Sequence, residues 1–342
     1  MILDPMTESN ALTGVASTGR SHDQVIDVRE LSKHYEDLVA VDRIDFSVAR
    51  GEVFAFLGPN GAGKSTTIKM LCTLAHPTSG EATVAGYDVA SRPKAVRRHI
   101  GLVFQEQTLD SQLTAEENLR FHAVLYGVPH AHVDGRITEV LDLVALSERR
   151  GDVVSTFSGG MARRLEIARG MLHTPKVLFL DEPTVGLDPQ TRALIWEDVL
   201  RLRKEEGVTI FLTTHYMDEA EYADRIAIID HGAIVALDTP DALKAAVGAD
   251  TVILETTDDA AGLVSLKDKG FKVERNSDGI TAYVDDEEAA VGALIAAVSV
   301  PVQTVRVHRP TLDDVFLHFT GREIRAQHGE GASMLARAHG AR

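Results

Sequence analysis

Short apolar runs alternate with stretches of helical periodicity from about residue 25 to residue 247. Several of these runs are almost continuously hydrophobic, which is typical of strands buried on both faces of a parallel sheet. Helices cover the two faces of such a sheet, so the pattern predicts an α/β domain. The predicted buried strands are Val53–Leu57, Ile100–Phe104, Val177–Leu180, Thr209–Leu212 and Ile226–Ile229, and the helix predicted behind the first strand is Ser65–Leu74.

The pattern changes after residue 248. Six shorter elements follow in the order strand, helix, strand, strand, helix, strand, with a turn predicted at residues 277–279. This is the order of a split βαβ module, so the second region is predicted to be a small α+β domain of the ferredoxin-like type. The predicted elements are Thr251–Glu255, Asp258–Lys269, Phe271–Arg275, Ile280–Val284, Asp286–Val298 and Val302–Val307.

A last amphipathic helix is predicted at Pro310–Thr320, because Leu312, Val315, Phe316 and Phe319 recur at helical spacing on one face. Such a face either belongs to a core or offers a docking surface to another protein. The sequence pattern leaves both alternatives open.

These patterns divide the chain into four parts. Residues 1–22 are rich in Ser, Thr, Gly and Asp and are predicted to form a disordered extension. The main α/β domain is predicted at residues 23–248 and the small α+β domain at residues 249–323. Residues 324–342 lack any apolar periodicity and are predicted to form a flexible tail.

Composition and charge narrow the candidate functions. The 342 residues carry a formal net charge of −16. Direct binding of nucleic acid or anionic lipid needs a concentrated basic face, so this charge argues against both. The single cysteine, Cys72, excludes an intramolecular disulfide and is consistent with a reducing compartment. The chain has neither a long apolar run nor the pattern of a secretory signal, so contact with a membrane is expected to go through a protein partner.

Residues 58–65 (GPNGAGKS) match the pattern G-x-x-x-x-G-K-[ST] and lie between a predicted strand and a predicted helix. Glycines let backbone N–H groups turn towards a phosphate, and the N-terminal end of the helix adds a positive dipole. Lys64 is expected to contact the β- and γ-phosphates as a catalytic cation, and Ser65 to offer its hydroxyl to Mg²⁺. The motif therefore predicts a site for ATP with Mg²⁺. The candidate binding residues are Gly58, Pro59, Asn60, Gly61, Ala62, Gly63, Lys64, Ser65 and Thr66.

The predicted strand Val177–Leu180 is followed directly by two acids, Asp181 and Glu182. Parallel strands deliver such residues to the carboxyl edge of the sheet, next to the phosphate-binding loop. Asp181 is predicted to hold Mg²⁺ through water, and Glu182 to accept the proton of the attacking water. Acids at strand exits also cap helices, but their combination with the loop favours the catalytic interpretation.

Further segments resemble the motifs of ABC transporter ATPases. Residues 157–161 (FSGGM) resemble the signature of that family, usually LSGGQ, and stand about twenty residues before Asp181, as they do in the family. Residues 185–188 (VGLD) resemble the D-loop, which makes Asp188 a candidate nucleotide-site residue. We refer to residues 157–161 as the signature segment.

Three single residues extend the resemblance over about residues 25–245. Gln105 resembles the Q-loop glutamine, which implies contact with the nucleotide and its metal ion. His215 resembles the catalytic switch histidine. Tyr35 occupies the place of the aromatic residue that stacks on adenine. The resemblance implies a phosphate-loop NTPase domain with a helical subdomain.

The resemblance also implies a head-to-tail homodimer, in which the signature segment of one copy completes the ATP site of the other. Ser158 and the backbone N–H groups of Gly159 and Gly160 open a helix and can form an anion pocket. Two positions depart from the family pattern, with Phe157 in place of Leu and Met161 in place of Gln. The second change removes one polar contact, so ATP binding is expected to persist, whereas the hydrolysis rate stays open.

Two stretches resemble the drug-resistance branch of this family, typified by the daunorubicin/doxorubicin exporter. They are the signature segment with the following residues 163–165 (RRL), and residues 310–322 (PTLDDVFLHFTGR). This resemblance implies a separate integral membrane permease of the ABC-2 kind with six helices. It also implies export of an amphipathic drug, antibiotic or lipid, and a peripheral location on the cytoplasmic face of the cell membrane.

Two alternatives remain from the sequence. One is the ATPase subunit of an importer, which differs in membrane partners that the sequence does not show. The other is a non-transport ABC ATPase that acts on nucleic acid or the ribosome. The acidic charge, the single set of motifs and the absence of a heptad pattern between Ser65 and Ser158 argue against the second alternative.

Overall fold

A computed structural model describes residues 23–248, 250–276, 279–284 and 287–321. The predicted disordered extension and flexible tail lie outside these ranges, as do residues 277–278 of the predicted turn, Asp286 of a predicted helix, and Arg322. Among the described residues, no helix is both long enough and apolar enough to cross a membrane.

Strands and helices alternate along most of the described chain. The strands are β1 (Gln24–Tyr35), β2 (Leu38–Ala49), β3 (Val53–Leu57), β4 (Ser79–Val84), β5 (Tyr87–Asp88), β6 (Ile100–Val103), β7 (Val177–Asp181), β8 (Thr209–Thr214), β9 (Arg225–Asp230), β10 (Ala233–Asp238), β11 (Asp250–Thr256), β12 (Val273–Asn276), β13 (Gly279–Val284) and β14 (Val302–His308). The helices are α1 (Lys64–Leu71), α2 (Pro93–Arg97), α3 (Ala115–Leu125), α4 (His130–Leu143), α5 (Gly159–Met171), α6 (Pro189–Glu206), α7 (Met217–Ala220), α8 (Pro240–Val247), α9 (Asp259–Asp268), α10 (Glu287–Ala297) and α11 (Leu312–Thr320).

A six-stranded sheet in the order β10-β9-β3-β8-β7-β6 forms the centre of the main domain. Its strands pair in parallel except for β10, which joins β9 antiparallel at one edge. Every residue of β3, β7 and β8 is buried, as the near-continuous apolar runs predict. The parallel sheet is therefore confirmed. The carboxyl ends of β3, β7 and β8 come together at one edge, where the candidate chemistry lies.

A second sheet, in the order β2-β1-β4-β5, is antiparallel and was not predicted from the sequence. It covers one face of the central sheet through a core that includes a group of aromatic rings. Phe46 of β2 stacks on Phe54 of β3 with ring centroids 5.4 Å apart, and Phe211 of β8 lies 5.6 Å from Phe54. The opposite face of the central sheet packs against helices α3 to α6.

The helix predicted behind the first strand is α1, and the prediction placed its end three residues too late. The helix ends at Leu71 rather than Leu74. Thr73 has a φ of 63°, a left-handed backbone conformation that a helix does not continue through. The early end turns the chain towards β4.

The small domain has a four-stranded antiparallel sheet in the order β12-β13-β11-β14. This order, with α9 and α10 as the two connections across the sheet, is that of a ferredoxin-like split βαβ module. Its core is separate from that of the main domain and includes Val252, Leu254, Ile280 and Leu294. The predicted combination of an α/β domain with a small α+β domain is confirmed.

The last helix, α11, packs on the main domain. Leu312, Val315 and Phe316 are buried, and they belong to the same apolar cluster as Leu243 of α8. Contacts between α11 and α8 join the end of the described chain to the helix that precedes the small domain. The apolar face of α11 therefore forms part of a core. Thr311 and Asp314 begin the helix with a capping box.

Candidate functional site

The glycine-rich loop lies between β3 and α1, and two of its glycines are required by close backbone approach. A Cβ atom on Gly58 would lie 2.4 Å from the carbonyl oxygen of Ile229. A Cβ atom on Gly63 would lie 2.6 Å from the carbonyl oxygen of Ala40, and Gly63 has a φ of 110°. Because α1 begins at Lys64, the positive end of its dipole points into the loop.

Lys64 is buried, with 4% of its surface exposed, and its ammonium group lies among three oxygens. It donates to the carbonyl oxygens of Gly58 at 2.7 Å and Pro59 at 3.1 Å, and it lies 3.1 Å from Oε1 of Glu182. Burial lowers the pKa of Lys64, and the Glu182 carboxylate opposes that shift. These oxygens hold the cation at the point where the loop turns.

Asp181 ends β7 and contacts the start of α1. Its Oδ1 accepts a hydrogen bond from Ser65 Oγ at 3.1 Å and another from Thr213 Oγ1 of β8 at 2.6 Å. A hydroxyl and a carboxylate are the hard oxygen donors that Mg²⁺ prefers, and phosphate oxygens with water commonly complete its shell. The donor set of Ser65 and Asp181 therefore fits Mg²⁺.

Glu182 follows Asp181 in a left-handed backbone conformation, with a φ of 48°. Its N–H donates to the carbonyl oxygen and to Oγ1 of Thr213, which holds this uncommon conformation in place. Oε1 of Glu182 lies 3.4 Å from Nδ1 of His215, just beyond the end of β8. Burial favours the neutral acid, but hydrogen bonding with His215 and the charge of Lys64 keep the pKa of Glu182 below its usual value. Glu182 is thus held as a buried carboxylate.

One cavity of about 400 Å³ brings together most of the predicted nucleotide-site residues, and we call it the loop cavity. Tyr35, at the end of β1, forms part of its wall, and the Lys33 ammonium group lies 4.8 Å from the centre of the Tyr35 ring. Gln105 lies two residues beyond the end of β6 and also lines the cavity. The complete lining is Tyr35, Leu38, Val39, Ala40, Pro59, Asn60, Gly61, Gly63, Lys64, Ser65, Thr66, Gln105 and Glu182.

The signature segment and Asp188 do not line the loop cavity. Ser158 caps α5 by accepting a hydrogen bond from the N–H of Met161, and both Ser158 and Gly159 are exposed. Gly160 is buried against α6, where a Cβ atom would lie 2.2 Å from Cγ2 of Thr191. Asp188 is exposed and caps α6 by accepting from the N–H and hydroxyl of Thr191. The structure therefore holds two separate groups of predicted residues.

Sequence reasoning missed several residues that shape these sites. Val39 and Ala40, from the start of β2, line the loop cavity, and Thr213 holds both Asp181 and Glu182. Arg163 of α5 donates to the backbone carbonyl of Gln105 at 2.6 Å. Thr213 stands two residues before His215, so a search of the residues around each motif could have identified it. Nothing in the sequence pattern indicated that Arg163 reaches Gln105.

Two family models match the chain. The model described as ABC transporter matches residues 41–185. The model described as ATP-binding protein DrrA1-3-like, C-terminal domain, matches residues 239–320. The first match includes the glycine-rich loop, the signature segment and the acids after β7. The second includes the small domain together with α8 and α11.

Individual proteins agree with the family models. The chain is 41% identical to the daunorubicin/doxorubicin resistance ATP-binding protein DrrA of Streptomyces peucetius, over 87% of this chain and 93% of that protein. The structure resembles cbiO1 of Clostridium perfringens, part of the ABC transporter complex cbiONQ, with a TM-score of 0.62, 31% identity, and coverage of 66% of this chain and 92% of that one.

A second solved structure is a dimeric post-hydrolysis state of the ATP-binding cassette MJ0796 bound to ADP and Pi. It gives a TM-score of 0.57 and 26% identity, and the match covers 63% of this chain and 98% of that one. The two family-model matches together include the glycine-rich loop and the C-terminal helix α11. The chain belongs to the ABC transporter ATP-binding proteins, a family of ATP-hydrolysing domains, and carries the C-terminal domain of the DrrA type.

Proposed function

We propose that this chain works as a head-to-tail homodimer that hydrolyses MgATP and powers export through a separate membrane permease. One observation carries the proposal: the loop cavity gathers one set of nucleotide-site residues, while the signature segment lies outside it and exposes Ser158 and Gly159. An exposed helix N-terminus with free N–H groups suits a phosphate that another molecule presents. The cassette MJ0796 is described as dimeric, which supports a dimer of this chain.

In the loop cavity of one chain and next to it, each predicted side chain has a different role. The Tyr35 ring offers a flat apolar surface for the adenine base. Lys64 exchanges its protein oxygen partners for the β- and γ-phosphate oxygens when nucleotide binds. Ser65, Asp181 and Gln105 would hold Mg²⁺, which supplies charge that neutralises the phosphates.

Glu182 and His215 act on the attacking water. Once Lys64 turns to the phosphates, the Glu182 carboxylate is released to accept a proton from water. His215, just beyond the end of β8, lies beside the Glu182 carboxylate and orients it. In the protein without nucleotide, His215 and the charge of Lys64 hold the pKa of Glu182 below its usual value, so the side chain is a carboxylate. The signature segment of the second copy would add Ser158 and two backbone N–H groups on the opposite side of the γ-phosphate, with Asp188 at the same interface.

The permease partner is supported by an exposed apolar patch on α3. Phe121, Val124 and Leu125 are each more than half exposed, and groups of this kind often mark protein interfaces. Asn118, one turn earlier on α3, accepts from the N–H of Asp110 and donates to its carbonyl oxygen. Asp110 belongs to the segment that continues from Gln105, so the patch is linked to the loop cavity through a short stretch of chain.

The direction of transport and the cargo are proposed from the relatives. The Streptomyces peucetius relative is named for resistance to daunorubicin and doxorubicin, which are amphipathic drugs. We propose export of an amphipathic drug, antibiotic or lipid, with the chain bound peripherally at the cytoplasmic face of the membrane.

Light scattering tests the dimer. Glu182→Gln should retain MgATP and accumulate as a dimer, and the same protein with ADP should remain monomeric. Adding Ser158→Arg to this variant should prevent the dimer without weakening MgATP binding, because Ser158 lies outside the loop cavity. A dimer that forms equally well with Ser158→Arg would contradict the head-to-tail arrangement.

Co-expression tests the permease and the direction. We expect a neighbouring gene to encode a six-span membrane protein. The chain should co-purify with that protein, and the pair should lower doxorubicin accumulation in intact cells. The pair with Glu182→Gln is the matched control and should leave accumulation unchanged. Increased accumulation that depends on Glu182 would indicate an importer, and no association with the membrane protein would remove the permease from the proposal.

A further inference from the structure

Helix α5 carries three charged side chains that are almost completely buried. Arg163, Glu166 and Arg169 follow one another at intervals of three residues and are 5%, 0% and 5% exposed. Burying a charge is costly unless it is paired and hydrogen-bonded, so the partners of these groups show what the burial achieves. The groups outside α5 that form hydrogen bonds with these three side chains all belong to the short segment Phe104–Thr108, which contains Gln105.

Arg163 grips the two backbone carbonyls at the start of this segment. Its Nη1 donates to the oxygen of Phe104 and to Oε2 of Glu166 at 2.9 Å, and its Nη2 donates to the oxygen of Gln105 at 2.6 Å. A planar guanidinium group with two donors on successive carbonyls fixes the direction of the backbone as well as its distance.

Glu166 and Arg169 hold the other end of the segment. Oε1 of Glu166 accepts from the N–H of Thr108 at 2.7 Å and from its hydroxyl at 3.1 Å. Nη1 of Arg169 donates to the carbonyl oxygen of Thr108 at 3.3 Å. The segment that carries Gln105 is therefore fixed at both ends to a single helix. We call Arg163, Glu166 and Arg169 the α5 clamp.

The same helix begins at the signature segment, with Ser158 five positions before Arg163. An α-helix of 13 residues moves as a stiff body, so a displacement at its first turn also displaces the clamp. Gln105, whose carbonyl oxygen accepts a hydrogen bond from Arg163, lines the loop cavity. Helix α5 and its clamp thus connect the two groups of nucleotide-site residues in one chain, through the helix from Ser158 to Arg163 and through the hydrogen bonds from Arg163 to the Gln105 segment.

We propose that Arg163 and Glu166 are positioning residues that transmit docking of the partner's nucleotide at Ser158 to Gln105 in the chain's own loop cavity. The inference rests on the proposed head-to-tail dimer. Each signature segment contacts the ATP of the other copy, so the clamp links the two ATP sites and makes hydrolysis cooperative in ATP. Binding of a first ATP to a monomer does not require the clamp.

The test separates binding, turnover and cooperativity. Arg163→Lys keeps the charge but loses the two-pronged grip on Phe104 and Gln105. We expect its MgATP dissociation constant, measured on the monomer with a fluorescent ATP analogue, to stay within about twofold of the parent. The kcat should fall about tenfold or more, because small misplacement of an active-site group is costly. The Hill coefficient for ATP should fall from near two towards one.

Arg164→Lys is the matched control. Arg164 is the neighbouring residue of the same type on the same helix, but it pairs with Asp198 of α6 at 2.6 Å rather than with the Gln105 segment. This variant should keep the kcat and Hill coefficient of the parent. A loss of cooperativity as large as that of Arg163→Lys would show a general disturbance of α5 and overturn the proposal.

A second variant guards against a failure to fold. The double change Arg163→Gln with Glu166→Gln removes these two charges together, so that neither leaves the other unpaired, and Arg169 keeps its hydrogen bond to the carbonyl oxygen of Thr108. It should be folded by circular dichroism and should repeat the split between preserved binding and lost cooperativity. Unchanged kcat and Hill coefficient in both clamp variants would mean that the clamp only packs α5, and weakened monomer binding would mean that it shapes the loop cavity itself.

Failure of the proposed function would give a different experimental result. A parent protein that neither dimerises with MgATP nor shows cooperativity would remove the head-to-tail dimer, and the coupling with it. A parent that dimerises and is cooperative, with clamp variants that remain cooperative, would overturn the clamp alone.

Discussion

The loop cavity and the signature segment both lie at the N-terminus of a helix, and they are built differently. The cavity is lined by two buried charges next to one another, Lys64 and Glu182 at 3.1 Å, and its Ser65 donates a hydrogen bond to the buried Asp181. The signature segment has no charged side chain, and its Ser158 and Gly159 are exposed. A site of the first kind is preorganised within one molecule. A site of the second kind has only a helix dipole, a hydroxyl and backbone N–H groups.

This difference divides the expected effects of substitutions. Substitutions in the loop cavity should alter MgATP binding by a single chain, because the charged groups of the cavity pair with one another within that chain. Changes in the signature segment should leave the single chain intact and act when a second copy brings its nucleotide. The following experiments test this difference and the contacts behind it, from the largest expected effect to the smallest.

The largest effect is expected from Glu182→Gln. The amide keeps the shape of the side chain but cannot accept a proton from water, so steady-state ATP turnover should fall by about 100-fold or more. MgATP binding should persist. A phosphate-release assay at saturating ATP, beside a binding titration, measures both quantities. Turnover close to that of the parent would remove Glu182 from the role of base.

Lys64→Ala and Ser158→Arg should separate the two parts by affinity. Removing the ammonium group deletes the charge-assisted hydrogen bonds to phosphate, so the MgATP affinity of the monomer should fall by about tenfold or more. Ser158→Arg should leave that affinity within about twofold, while it abolishes turnover by blocking the partner's phosphate. Isothermal titration on dilute protein gives both constants. Equal losses in the two variants would place both residues in one site.

The parallel sheet and the loop cavity were predictable from the sequence because their patterns are local. The runs that became β3, β7 and β8 are almost continuously apolar, and every residue of these strands is buried. The glycine-rich loop is one contiguous motif, and its position after β3 follows from strand and helix order alone. The acids after β7 reach the loop because parallel strands end at the same edge.

The antiparallel sheet was not predictable in the same way. β1 and β2 pair with several register shifts, so their buried positions do not alternate regularly. In β1, the consecutive residues Val25 and Ile26 are both buried, and so are Leu31 and Ser32. Shifts of this kind break the period of two on which strand prediction depends. The α5 clamp was missed for a related reason. Arg163 and Glu166 resemble surface residues in the sequence, and only the tertiary fold buries them against the segment Phe104–Thr108.

The packing of α11 also depended on the fold. Its apolar stripe was visible in the sequence, but the stripe fits a core and a docking surface equally well. Contacts with α8 identify the core. The core and the docking surface could be distinguished only once the position of α8 beside α11 was known.

The adjacent glycines of the signature segment should differ in stability. Gly160→Ala would place a Cβ atom 2.2 Å from Cγ2 of Thr191, so we expect a loss of about 1–3 kcal/mol in the free energy of unfolding from overpacking. Gly159→Ala is the matched control, since the nearest atom to its Cβ, Cδ2 of Leu187, lies at 3.4 Å. Urea denaturation of both variants measures the difference. Equal stability would show that α6 can shift away from Gly160 without cost.

The smallest effect concerns Glu219, which links the segment before Asp188 to the end of β8. Its carboxyl group is buried and accepts hydrogen bonds from Thr184, on the way to Asp188, and from Thr214, next to His215. Burial raises the pKa of Glu219 to about 7, with Thr214 acting in the opposite direction. The folded protein therefore holds this proton more tightly than the unfolded chain, and the resulting stability is complete below about pH 4.5.

That stability should disappear as the pH rises through about 7. Between pH 6 and pH 8, the loss from this one group should be about 1 kcal/mol, or about 2 °C in the unfolding midpoint. Glu219→Gln cannot ionise, so its midpoint should change less over this range than that of the parent. Glu221→Gln, an exposed neighbour paired with Lys244, is the matched control and should keep the slope of the parent. Scanning calorimetry at pH 6, 7 and 8 gives the three slopes. If Glu219→Gln follows the parent, the carboxyl group is ionised throughout, and the link between Thr184 and Thr214 carries a buried charge rather than a proton.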